Sequence, residues 1–200
     1  MTFGRALPMW LAMTAVMMAP VVAPWIRALV RVASTGGTGA YLPTVFAFGA
    51  GYAIAWGGFS VLAAGVQTGL TALAVPVPFG LEARMHSGIA LLLAGSFQFT
   101  RFKTACLRRC RSPQSYLLAH WRPGLVGSVR VGLGHGVDCV GCCWAVMALA
   151  LVVGMAHLAW MGLLMAIMVA EMATPLGGRI TRPVGVALIV AGLVVIGASG

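Results

Sequence analysis

Residues 134–147 read GHGVDCVGCCWAVM and place His135, Asp138, Cys139, Cys142 and Cys143 close together in strongly apolar chain. On a helix the first four fall at i, i+3, i+4 and i+7, a single face, and Cys143 lies one turn beyond Cys139 at its edge. A carboxylate in such surroundings costs about 2.5–3.5 kcal/mol on membrane-insertion scales, so Asp138 is expected to face an interior partner. Thiolate, imidazole and carboxylate on one stripe make a metal environment, and sulfur with nitrogen favours copper, zinc or iron over magnesium or calcium. Two other readings stand beside it. Cys139 and Cys142 form a C-x-x-C spacing that suits a redox pair, and small cysteines also serve as inert packing residues in apolar interiors.

A second pair, Cys106 and Cys110, sits in QFTRFKTACLRRCRSP (98–113). At i and i+4 they share a face if the segment is helical, and the bases Lys103, Arg108, Arg109 and Arg111 around them should favour thiolates. Two sulfurs suffice for near-linear Cu(I), whereas a closed zinc site wants four ligands. The plainer reading is a basic anchor that happens to hold two thiols. His120 lies further along the same connector, while His86 and His157 fall at the outer ends of apolar segments.

Methionines add a third feature. Met161, Met165, Met168 and Met172 run along one side of a helix, with Glu171 at its edge, and Met9, Met13 and Met17 form another row. Such rows pack well, and thioethers also suit Cu(I). If VGMAH (153–157) is a tight turn, antiparallel geometry sets Asp138 level with Glu171 and Cys142 near Met168. Cys139, Cys142 and Cys143 then form the candidate metal site, with His135 or Met168 completing it. Asp138 and Glu171 orient ligands or balance charge.

The elements that must hold these residues are membrane spans. Hydrophobic residues make up 60% of the 200, charged residues only 8%, against roughly a quarter charged in soluble domains. Six segments of adequate length appear: about 8–30, 42–66, 85–100, 126–153, 157–174 and 183–199. The apolar run after Arg5 is too long for a signal-peptide core, so it is kept as a span. Pro76 and Pro78 argue against a continuous helix over 68–79, which reads as re-entrant or interfacial. STGGTGA (34–40) reads as a flexible connector. Small residues four apart, Gly49, Ala53 and Gly57 in one span and Gly132 and Gly136 in another, predict close helix packing.

Fold class follows: an all-α polytopic membrane protein of about six transmembrane helices, one bundle domain over 1–200. With N- and C-termini outside, eleven of the thirteen Lys and Arg face inward, as the positive-inside rule requires. The net charge of +10 is thus a topology and anionic-lipid signal, and nucleic acid is not an expected partner. In this topology Cys106 and Cys110 face a reducing cytosol, where a structural disulfide is not expected.

The 98–113 block, the block Gly134–Met172, and MWLAMTAVMMAPVVAP (9–24) together resemble a bacterial family of predicted metal-binding integral membrane proteins, a domain of unknown function. The resemblance implies metal-site roles for Cys106, Cys110, Asp138, Cys139, Cys142, Cys143, Met155, Met161 and Glu171, and copper as the ion. The chain departs from the family pattern in two places. Thr100-Arg101-Phe102-Lys103 stands where the family has Thr-Pro-Leu-Lys, and Met172 stands where the family follows its Glu with Lys.

The expected function is therefore handling, transfer or cuproenzyme assembly of a soft metal ion in the bacterial cytoplasmic membrane. Copper is the first choice and zinc or iron are alternatives, with a metallochaperone or membrane complex as protein partner. An enzyme is not the favoured class. A membrane thiol-disulfide oxidoreductase and a structural subunit of a larger membrane complex are the competing functions.

Overall fold

The computed structural model describes residues 2–35, 41–72, 81–122, 124–153, 158–174 and 177–198. These residues form helices and no strands: α1 (Phe3–Thr35), α2 (Tyr41–Ala72), α3 (Leu81–Phe97), α4 (Arg101–Cys110), α5 (Pro113–His120), α6 (Leu125–Val153), α7 (Leu158–Ala173) and α8 (Gly177–Gly197). Four of them, α1, α2, α6 and α8, are long and apolar enough to cross a membrane, and shorter apolar helices cover Met85–Phe97 and Ala159–Ala173.

Outward faces carry large apolar side chains, among them Val16, Ile54, Leu62, Val137 and Val194. The buried set includes Asp138, Glu171 and Lys103, so polarity is turned inward. That arrangement fits association with lipid.

α2 packs along α6 and α3 along α8, while α1 lies against α2 and α4 lies across α6. The α2–α6 seam depends on glycine. A β-carbon on Gly132 would collide with the Phe48 carbonyl, and one on Gly51 with the Val129 carbonyl. Gly132 and Gly136 thus pack as their spacing predicts. In α2 the close approach falls on Gly51, since Gly49 and Gly57 have open space where a β-carbon would stand. Composition shows where small residues are, whereas the partner's position decides which are used.

Residues 68–72 of the stretch expected to be re-entrant continue α2 as regular helix; Pro76 and Pro78 lie outside the described residues. So do the central glycines of the 34–40 connector and most of the turn at 153–157, including Met155 and His157. The basic connector after α3 is not a simple loop: it folds into two short helices, α4 and α5.

Candidate metal centre

α4 is the element that assembles the site. Thr100 caps its start, the hydroxyl accepting from the Lys103 amide at 3.2 Å, and Arg108 and Arg109 in the last turn complement the helix dipole. Lys103, Cys106, Leu107 and Cys110 form its buried face, at i, i+3, i+4 and i+7.

Each end of that face is tied down. Lys103 Nζ donates to Glu171 Oε2 of α7 at 2.7 Å, with both side chains at or below 2% exposure. Arg109 Nη1 donates to Asp138 Oδ1 of α6 at 3.2 Å. Trp25 Nε1 of α1 donates to the Cys110 carbonyl at 2.7 Å, satisfying a carbonyl that the helix end would leave open. Arg111 Nη2 reaches the Thr174 carbonyl, just past α7, at 3.1 Å. Gly141 of α6 allows the approach: a β-carbon there would stand 3.0 Å from Cys106 Sγ and against the Phe102 ring.

Both acids are therefore answered from α4. The hairpin reading set Asp138 level with Glu171, and their partners, Arg109 and Lys103, lie six residues apart on α4. That separation is about 9 Å along the axis. Lys103 also supplies a base to Glu171 where Met172 replaces the family's lysine.

All five cysteines are free and belong to one buried core cluster. Cys110 Sγ lies 3.8 Å from Cys142 Sγ, so the two cysteine groups meet. Cys142 Sγ is also 4.0 Å from Met172 Sδ, and Cys139 Sγ is 3.9 Å from Met18 Sδ. The Cys142 and Cys143 thiols donate back to the Cys139 carbonyl at 3.1 and 2.9 Å, and Tyr52 Oη is 3.4 Å from Cys139 Sγ.

Met168 is fully buried in the same core, but the thioether beside Cys142 is that of Met172, one turn further along α7 than a hairpin centred near Gly154 puts it. Among the described residues no three His, Cys, Asp or Glu side chains converge as a ready metal-holding group. The further sulfurs beside the thiols are the thioethers of Met18 and Met172.

The expectation that surrounding bases favour Cys106 and Cys110 thiolates meets a different balance. Burial pushes the Cys106 thiol up, and Asp138 adds to it, with Arg109 opposing. Hydrogen bonds with Cys139 and Cys142, then burial, push Cys110 well up. Lys103 and Arg109 are each paired with a carboxylate, and the opposing pull of Arg109 does not outweigh burial at Cys106.

His135 sits in an aromatic cage. It stacks on Trp25 with ring centroids 3.8 Å apart and on Tyr52 at 5.3 Å, is 1% exposed, and has no hydrogen-bond partner at either ring nitrogen. Tyr52 bridges it to Cys139. His120 stacks on Tyr116 on α5, and His86 is exposed on α3. Trp25, Tyr52 and Met18 are the site neighbours that sequence reasoning missed, while Met172 was named in its methionine row but not placed beside Cys142. A Trp and a Tyr away from span ends, where interfacial anchors belong, were the available signal.

The fold and site define a class: an all-helical protein of apolar helices closed around a buried thiol and thioether cluster. The chain belongs to the PpoB2 family of copper chaperones, which it matches over residues 7–195. No curated protein and no solved structure matches it. Membership supports an association with copper, and nothing in it supports zinc or iron.

Proposed function

We propose that this protein is a membrane-embedded copper chaperone that holds Cu(I) as cargo between α4 and α6 and passes it to a protein partner. In this reading α1, α2, α3, α6, α7 and α8 cross the bacterial cytoplasmic membrane, with both termini outside and α4 and α5 at the inner side.

The observation that carries the reading is the meeting of Cys110 with Cys142. Sulfur–metal bonds of about 2.3 Å, the zinc–thiolate length, set two ligands of one three-coordinate ion about 4.0 Å apart. The 3.8 Å Cys110–Cys142 and 4.0 Å Cys142–Met172 separations match that edge. Two thiols and a thioether are a soft donor set suited to Cu(I). Binding exchanges the thiol protons for the ion, so loading releases protons.

Cys139 and Cys143 provide neighbouring sulfurs to which the ion can shift, and Cys106 stands toward the cytosolic side. Met18 links the cluster to a cavity of about 280 Å³ between α1 and α2, lined in part by Thr14, Tyr52 and Trp56, which offers a route from the membrane's other half. His135 is the nitrogen donor held nearest this route, its ring already stripped of other partners. Asp138 and Glu171 act through α4, keeping Cys110 in place.

X-ray absorption at the copper edge tests the assignment on copper-loaded protein. A sulfur-dominated shell of a monovalent ion is expected, and a shell of oxygen and nitrogen alone refutes it. Thiol trapping in cells separates the oxidoreductase reading, for a disulfide of Cys142 with Cys139, or with Cys110, that follows quinone status would replace the chaperone account.

A further inference from the structure

The cytosolic end carries a second feature, on the side of α4 away from the sulfur cluster. A cavity of about 840 Å³ opens between the end of α3, α4 and the start of α8, and four guanidinium groups line it: Arg108 and Arg111 from α4, Arg179 and Arg182 from α8. Of the acids whose side chains the structure describes, neither turns to this cavity. The chain has three acidic residues; Asp138 is engaged by Arg109 and Glu171 by Lys103. Glu82, the third, lies in the first turn of α3, the end of that helix opposite the cavity. Arg111 Nη2 donates to the Thr174 carbonyl at 3.1 Å, which aims its guanidinium.

A second, independent observation concerns Gln98. It lines the cavity and is only 2% exposed, yet neither its amide nitrogen nor its amide oxygen has a hydrogen-bond partner. A buried amide without a protein partner calls for an explanation, and a polar group entering the cavity would supply one. Next to the cavity an apolar groove of about 800 Å³ runs along α8 past Pro183, Val186, Val190 and Val194, and it begins at Arg182, which lines both.

The geometry points to a site for an anionic glycerophospholipid, its phosphate among the four arginines with Gln98 bonding the headgroup, and an acyl chain along the α8 groove. The continuity at Arg182 selects a lipid over free phosphate, because an inorganic ion leaves the groove unused. Placement at the inner leaflet, which carries the negative surface potential, agrees with the charge. The site rests on the membrane-spanning reading but not on the copper site.

Full-length protein delipidated in detergent and titrated with phosphatidylglycerol or phosphatidylcholine, followed by native mass spectrometry, tests the site. At roughly fivefold per basic residue, Arg179→Gln with Arg182→Gln should weaken phosphatidylglycerol binding about 30-fold. The control pair Arg27→Gln with Arg122→Gln should leave it within about threefold of wild type. Ala187→Trp, placed in the groove, should weaken the lipid too.

Equal binding of the two lipids by wild type, equal loss in the control pair, or displacement of the lipid by millimolar inorganic phosphate would overturn the proposal. Protein that stays dispersed in water without detergent would refute the membrane reading instead, before any lipid is added.

Discussion

Replacing Lys103 with Met tests how α4 is held. The Lys103 ammonium and Glu171 carboxylate are 2.7 Å apart and at most 2% exposed, and Glu171 Oε1 already lacks a partner. Removing the cation leaves a buried anion uncompensated, which costs about 3–5 kcal/mol. At 2–4 °C per kcal/mol for a chain of this size, the melting temperature should fall by roughly 6–20 °C. Glu171→Gln should do the same from the other side. The double variant Lys103→Met with Glu171→Met removes both charges and should recover most of the loss, because a matched apolar pair is often no worse than a buried ion pair. The assay is thermal melting of the detergent-solubilised protein, with copper content measured on the same samples. The single variants should also lose copper, since α4 no longer presents Cys110 to Cys142. Singles that melt within about 2 °C of wild type, or a double variant as unstable as the two losses combined, would refute the reasoning.

Further expectations concern the neighbours of the cluster. Gly141→Val puts side-chain atoms where Cys106 Sγ stands 3.0 Å from a single β-carbon, so α4 should shift outward and copper binding weaken with the fold retained, as circular dichroism and metal analysis would show. Gly132→Val meets the Phe48 backbone and should destabilise the bundle by several kcal/mol, while Gly49→Ala, in open space, should be neutral or slightly stabilising in the same melt. His135→Phe removes two unsatisfied buried nitrogens while keeping the stack on Trp25, so the apo protein should gain up to about 1–3 kcal/mol while its copper affinity falls; unchanged affinity would remove His135 from the ligand set. Trp25→Phe deletes the bond to the Cys110 carbonyl and should cost about 1–3 kcal/mol in thermal melts.

Much of this architecture was legible because hydropathy and length are strong signals. The six apolar segments correspond to α1, α2, α3, α6, α7 and α8, although α1 and α2 run longer than their hydropathy cores. The i, i+3, i+4, i+7 face of α6 and the shared face of Cys106 and Cys110 were readable too, being local in sequence.

What was not readable was how the helices meet. Helices apolar on all sides carry no periodicity that names a partner face, so nothing in α6 alone says that Asp138 answers to Arg109, or Cys142 to Met172 and Cys110. The basic segment after α3 looked like a topology signal, and its helical amphipathicity, with Lys103 on the buried side, was the clue to a structural role. Glycine spacing was equally ambiguous, which is why Gly51 was passed over in favour of Gly49 and Gly57.

The central claim, copper held between α4 and α6, is tested most directly by the copper content of protein purified in detergent without added metal. Wild type should carry near-stoichiometric Cu(I). Cys110→Ser and Cys142→Ser, singly and together, should lose most of it, as should the Cys139/Cys142/Cys143→Ser variant, with their melts close to wild type. Copper retained at the wild-type level in the Cys110→Ser with Cys142→Ser protein would contradict the account.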